Sequence, residues 1–126
     1  MEQIGVMKAT VGKALGLCQT EDIPIYIGST NLAHIQNKHP DDYKKYGAYI
    51  SDIINFPDYA AINQKDQSIE LVKTFLIHNE YVKVAVRVSD NGRYFARSLY
   101  VLNDKRVKNF IQKGTLKPIK NNGKLV

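Results

Sequence analysis

The sequence has one cysteine, Cys18. A disulfide framework within the chain is therefore excluded, and a reducing, cytoplasmic setting is the expectation. No run approaches the roughly 18 consecutive apolar residues that a membrane span needs, so no membrane partner is expected. The opening MEQIGVMKAT has no basic start followed by an apolar block, so a secretory signal is not expected there; Met1 is the start that a complete chain would show. Repeats, low-complexity tracts and interdomain linkers are missing. So are HExxH, CxxC, GxxxxGK and GxGxxG motifs, and any acidic cluster with metal-ligand spacing. Neither a metal nor another cofactor is expected.

The 126 residues, 44% hydrophobic and 24% charged, match one globular domain and exclude disorder over the whole length. The net charge of +6 is a C-terminal property. Residues 103–126 carry seven basic side chains against Asp104 alone, while the first 102 are balanced. Such an excess is a grip for phosphates, or only the solvated helix and tail of a soluble protein.

Residues 1–22 are weakly patterned and read as an arm or a short helix. Residues 23–117 read as a single domain, and 118–126 as a basic tail. Ile23–Ile27, closed by Gly28, is a strand candidate with Pro24 at its start or edge. Ser29 or Thr30 can cap a helix through Asn31–Lys38, which Pro40 ends. Tyr43, Tyr46, Ile50, Ile53 and Ile54 recur at helical spacing and predict an amphipathic helix over 42–55. The period then changes to that of strands: Tyr59–Asn63, Ser68–Ile77, Tyr81–Ser89 and Arg93–Leu102. Asn103 or Asp104 caps a basic helix, Lys105–Lys113, ended by Gly114. Helices followed by an antiparallel meander describe an α+β domain. The expected form is N-terminal helices on a four-stranded antiparallel sheet, with a basic C-terminal helix. No alternation suggests parallel strands.

Asn91-Gly92 is a strong hairpin signal. Read as a two-residue loop, it sets Val88 against Phe95, Val86 against Arg97, Val84 against Leu99 and Val82 against Val101 on a core face. Arg97 then needs a partner, such as Glu70, Asp52 or a helix-end carbonyl. The other face pairs Arg87 with Ala96, Ala85 with Ser98 and Lys83 with Tyr100, joined by Tyr94. Cations and aromatics on an open face suit RNA; an ordinary solvated sheet face looks the same.

His34 and His39 lie about 140° apart on a helix, which argues against a shared metal. Either can serve as acid or base, or simply sit on the surface. His78 reads as an ordinary turn residue, and Cys18 as a small buried hydrophobe. Lys73 stands in the apolar run Ile69–Phe75. It reads as a phosphate ligand or as a guard on an edge strand. A three-residue loop at 78–80 would place it opposite Ala85 beside the open face. A two-residue loop would place it on the core face.

The segments IYIGSTNLAHIQNKHPDDY, IINFPDY, SIELVK and VAVRVSDNGRYFARSLY, with the basic helix after them, resemble the phage-associated barnase/EndoU/colicin/RelE-like nuclease families over roughly residues 24–117. The resemblance implies helices before a four-stranded sheet and a metal-independent endoribonuclease with RNA, such as tRNA or rRNA, on the open face. It implies catalytic roles for His34, His39, Lys73, Arg87 and Ser98, and substrate binding by Lys83, Tyr94, Arg97 and Tyr100. In that mechanism an RNA 2′-hydroxyl attacks its neighbouring phosphate. A histidine, His34 ahead of His39, moves the proton, and the products are a 2′,3′-cyclic phosphate and a 5′-hydroxyl. A toxin of this kind implies an acidic cognate inhibitor. The competing expectation is an inactive RNA- or protein-binding module of the same fold, for instance a phage or mobile-element protein that blocks a host factor.

Overall fold

The structure is a computed structural model and describes residues 1–120. Residues 1–22 form more than an arm. Glu2–Met7 is strand β1 and Ala9–Ala14 is a short helix, α1. Their weak pattern reflects an edge strand that places only Met7 fully inside. Ile23–Ile27 is β2, and it pairs antiparallel with β1 across a bulge between Gln3 and Gly5. A side chain at Gly5 would meet the Asn55 side chain at 2.8 Å, and Asn55 Oδ1 accepts the Val6 N–H at 2.8 Å. That close approach explains the glycine.

Helix α2 spans Ser29–Lys38. Its N-terminus is closed by Gly28 rather than by Ser29 or Thr30, and the Gly28 N–H donates to Asn31 Oδ1 at 3.0 Å. The helix predicted over 42–55 is broken. Pro40–Tyr46 is α3, Gly47–Tyr49 is a 3-10 turn and Ile50–Asn55 is α4. Gly47 lies so close to the Tyr43 ring that a Cβ there would stand 2.8 Å from it. The apolar spacing still works, because Tyr46, Ile50, Ile53 and Ile54 are all buried.

The strands that follow are β3 (Tyr59–Ile62), β4 (Ile69–Phe75), β5 (Glu80–Val88) and β6 (Tyr94–Val101). Helix α5, Asp104–Lys113, is capped by the Asn103 side chain, which accepts the Arg106 N–H, and it stops at Gly114 with φ 80°. Lys117–Pro118 is a short β7 on the edge of β3. Ile119 is buried, and its N–H donates to the Asp58 carbonyl. The expected tail therefore begins as part of the fold, and its residues 121–126 lie outside the described ones.

The architecture is α+β, but the sheet has seven strands rather than four, in the order β1-β2-β6-β5-β4-β3-β7. Its β2–β6 pair is parallel and only two residue pairs long. Pairs so short and so distant in sequence leave no local pattern. One sheet face packs Leu71, Phe75, Val82, Val84 and Leu99 against Met7, Ile35, Tyr46, Ile53 and Ile54, each large side chain contributing ~1.5–3 kcal/mol on full burial. The opposite face carries a smaller cluster, Ala61, Val72, Val107 and Leu116, under α5. The rest of that face is open. Among the described residues no helix is long and apolar enough to cross a membrane.

Candidate active site

The open face is shaped by an irregularity in the β5–β6 hairpin. Its loop has three residues, Asp90–Gly92, not two. The Ser89 N–H donates to the Arg93 carbonyl at 2.7 Å and the Gly92 N–H to the Ser89 carbonyl at 2.9 Å. Gly92 takes φ 83°, as the last residue of such a loop requires. The register near the tip therefore moves by one: Val88 opposes Tyr94, Arg87 opposes Phe95 and Val86 opposes Ala96. Arg97 is then an extra residue in β6, a bulge. Beyond it Ala85 opposes Ser98, Val84 opposes Leu99 and Lys83 opposes Tyr100, as the simple hairpin predicts.

Two placements change as a result. Tyr94, expected beside Arg87, packs against the main core, and Phe95 takes the place opposite Arg87. Arg97, expected to point at the core, is exposed and shares a pocket of about 230 Å³ with Arg87, Asn31, Ser89 and Phe95. A bulge residue is free of the ladder and can be aimed separately. Here it removes the cost of burying an unpaired guanidinium. Neither arginine makes an ion pair with a described residue. Asp66 feels the charge of Arg87. The backbone N–H and hydroxyl of Ser68 hold its carboxyl below the ordinary aspartate range, and Arg87 adds a smaller pull. Asn31 is held at the start of α2 by its bond from Gly28. His34 is exposed one turn later on the same side of that helix.

The other end of the open face is more enclosed. Lys83 is almost buried and donates to Glu70 Oε2 at 2.8 Å. The Asn63 side chain donates to the same oxygen at 3.3 Å. The ammonium also lies 4.5 Å from the centre of the Tyr100 ring. Burial alone would lower the lysine pKa, but the bonds and charges of Glu70 and Tyr100 outweigh it, so the group is held above its ordinary value. His39 joins α2 to α3 just before Pro40, and its ring lies 4.8 Å from that of Tyr100 at 32°. The N–H of Val101 donates to Asp42 Oδ2 at 3.0 Å, which ties α3, and with it His39, to the end of β6. Ser98 stands on the same face, half-buried, between the two ends.

Lys73 does not join this group. The β4–β5 loop has four residues, Leu76–Asn79, and an even length sets Lys73 opposite Val82 on the core face. It is 3% exposed, and its Nζ donates to the Phe56 carbonyl at 2.9 Å. His78 lies exposed in that loop with its ring edge-on to Tyr46. Cys18, read as buried, is exposed. The arrangement adds residues that the sequence did not single out for the site: Asn31 and Phe95 in the small pocket, and Glu70 and Asn63 beside Lys83. Glu70 was legible as a possible ion partner, but for Arg97. Among the described residues no three of His, Cys, Asp and Glu gather into a metal-binding group.

A face that offers two guanidiniums without an ion pair among the described residues, a hydroxyl, two histidines and an aromatic platform can hold a phosphodiester and move protons beside it. Residues 2–109 match the family described as phage-Barnase-EndoU-ColicinE5/D-RelE like nuclease 3. No curated protein and no solved structure matches the chain. The family match runs from β1 into α5, and so takes in β1 and α1 as well as the segments that carried the resemblance. By that extent the chain belongs to the phage barnase–EndoU–colicin–RelE-like nuclease 3 family.

Proposed function

We propose that the chain is a metal-independent endoribonuclease whose active site is the open face of β5 and β6. One observation carries this reading: the bulge that turns Arg97 to the side of Arg87, so that two cations without an ion pair among the described residues share one pocket. Such a pocket suits the non-bridging oxygens of a phosphodiester, where charge grows as the phosphorane forms. Ser98 adds a hydroxyl donor on the same face.

The nucleophile is the substrate's own 2′-hydroxyl, so no metal-activated water is called for. One histidine takes the 2′-proton as the O2′–P bond forms. The other gives a proton to the 5′-oxygen as the P–O5′ bond breaks, leaving a 2′,3′-cyclic phosphate and a 5′-hydroxyl. His34 is the first candidate for the base, and His39, oriented by Tyr100, for the acid. Lys83 and Tyr100 bind the substrate beside them. Lys73 and Tyr94, which face the core, are left out of this mechanism. The partner is RNA, tRNA or rRNA in the cytoplasm, and an acidic inhibitor protein is the natural counterpart of the cationic face.

The test is incubation with total tRNA and rRNA in EDTA, followed by mapping of new ends. Discrete cuts with cyclic phosphate ends are expected, lost in Arg97→Ala and His39→Ala. RNA that stays intact yet is retained in low salt would make the face a binding surface and defeat the catalytic reading. Cuts that need an added divalent cation would overturn the metal-independent mechanism.

A further inference from the structure

Asn31 brings an amide into the pocket of Arg87 and Arg97, and the topology explains how it arrives there. Strands β2 and β6 run parallel, with Tyr26 opposite Phe95. Their pairing stops at that point, because β2 ends at Ile27 and α2 begins at Ser29. The first turn of α2 therefore stands beside β6 near the Arg97 bulge, and Asn31 lines the same pocket as Phe95 and Arg97.

The Asn31 side chain is held in one orientation. Its Oδ1 accepts the Gly28 N–H at 3.0 Å, which turns the amide nitrogen and its two N–H groups away from that bond. The cap itself needs only an acceptor. An aspartate would supply one, and its charge would be favoured in the first turn of a helix. The amide adds two donors that the cap does not use. No acidic residue stands in the first turn of α2, so no carboxylate from that turn competes for the two arginines. Ser89, also in the pocket, donates its hydroxyl to Asn91 Oδ1 within the hairpin loop. The side-chain donors left for a ligand are two guanidiniums from the sheet and one neutral amide from the helix.

A phosphodiester has two non-bridging oxygens to offer them. Resting on the ribonuclease reading, we infer that Asn31 is a further catalytic residue: its amide donates to one non-bridging oxygen of the scissile phosphate while Arg87 and Arg97 hold the other. That hydrogen bond strengthens as charge grows on the phosphorane. Asn31 makes and breaks no covalent bond. It also places the phosphate about one helical turn from His34, the first candidate for the base.

The experiment is cleavage, in EDTA, of a short RNA spanning a mapped cut site. The scissile phosphate is supplied in its all-oxygen form and as each of its two phosphorothioate diastereomers. Urea unfolding of each variant gives the folded fraction. Sulfur is a weak acceptor, so each replacement is expected to slow the wild type. Asn31→Ala should cut the all-oxygen substrate about 100-fold more slowly per folded molecule. In that variant the sulfur penalty of one diastereomer should vanish while that of the other is kept. If Asn31→Ala does not fold, Asn31→Asp retains the cap acceptor without the donor, and the same loss of one penalty is expected. An all-oxygen rate equal to wild type, or both penalties kept, would reduce Asn31 to a helix cap and leave the nuclease reading intact. No cleavage by the wild type would overturn the nuclease reading and the catalytic role together. Titration with 2′-O-methyl RNA, which lacks the nucleophile, then tests the contact alone through the side-chain amide NMR signals of Asn31, identified by their absence in Asn31→Asp. Signals that move would keep the amide as a phosphate donor, and signals that stay would overturn that as well.

Discussion

Lys73 shows how much a single side chain depends on its face. In the run Ile69–Phe75 it has the look of a phosphate ligand, but it points beneath the helices and donates a hydrogen bond to the Phe56 carbonyl. Lys73→Met keeps an unbranched stem in the core and deletes the donor. The expected cost is ~1–3 kcal/mol in urea denaturation, the penalty of a buried carbonyl left without its partner, with RNA cleavage per folded molecule unchanged. A variant of wild-type stability that no longer cuts would return Lys73 to the site. Arg97 is the opposite case, a cation expected at the core and found outside. His34, His39 and Ser98 were legible as candidates by residue type. Glu70 and Asn63 were not legible as parts of the site, because their meaning lies in a partner on another strand, and strand pairing is not local.

At the next scale, the elements are held by ties between them. Glu80 at the start of β5 accepts from Lys45 Nζ at 2.6 Å and from the Tyr46 hydroxyl, which fixes α3 to the β4–β5 end of the sheet. Lys45 first, and then the Tyr46 hydroxyl, hold the Glu80 carboxyl below its ordinary value. Burial and the same carboxylate push the Tyr46 phenol upward, so it stays a donor. A carboxyl depressed in the folded state stabilises the fold above its unfolded pKa, and loses that effect as the pH falls through the folded value. Glu80→Gln is therefore expected to be ~1 kcal/mol less stable than wild type at neutral pH. The gap should begin to close below pH 4.5, the ordinary value for the group, and go on closing as the pH falls through the depressed folded value. A gap that persists in acid would show packing, not charge, at work. The hairpin loop offers a cleaner probe. Nothing lies within 4 Å of a Cβ placed on Gly92, whose φ is 83°. Gly92→Ala should thus cost only the left-handed backbone penalty, ~1–2 kcal/mol in thermal or urea unfolding. A larger loss would mean that the loop contacts something beyond its own backbone.

For the molecule as a whole, where charge is abundant and where it is available differ. The sequence concentrates its excess after residue 102, and part of that is internally used: Lys108 pairs with Asp104 on α5 at 3.1 Å, which raises the lysine pKa. The two arginines of the pocket, Arg87 and Arg97, which make no ion pair among the described residues, come from the balanced part of the chain. RNA retention should fall steeply with salt. Arg87→Ala and Arg97→Ala should each weaken it across sequences and flatten the slope of log affinity against log salt by about 1. Lys108→Ala should change the slope less. The reverse ranking would move the phosphate path from the sheet to α5.

What the sequence determined by itself is what depends on near neighbours. The alternation of β4 and β5, the helical spacing of Tyr46, Ile50, Ile53 and Ile54, the Asn103 cap, the Gly114 stop and the turn at Asn91-Gly92 each have a local cause, and together they are enough for an α+β class. The tertiary structure alone decided which face Lys73, Tyr94, Phe95 and Arg97 occupy, and that β1, β2 and β7 extend the sheet. The physical reason is the two-residue period of a strand. One extra residue in a loop or a bulge turns every following side chain over. Here the longer hairpin loop and the Arg97 bulge offset each other, so the pairs beyond them match a simpler hairpin while the residues between them do not. Packing across the sheet settles such choices, and they are the ones that built the site.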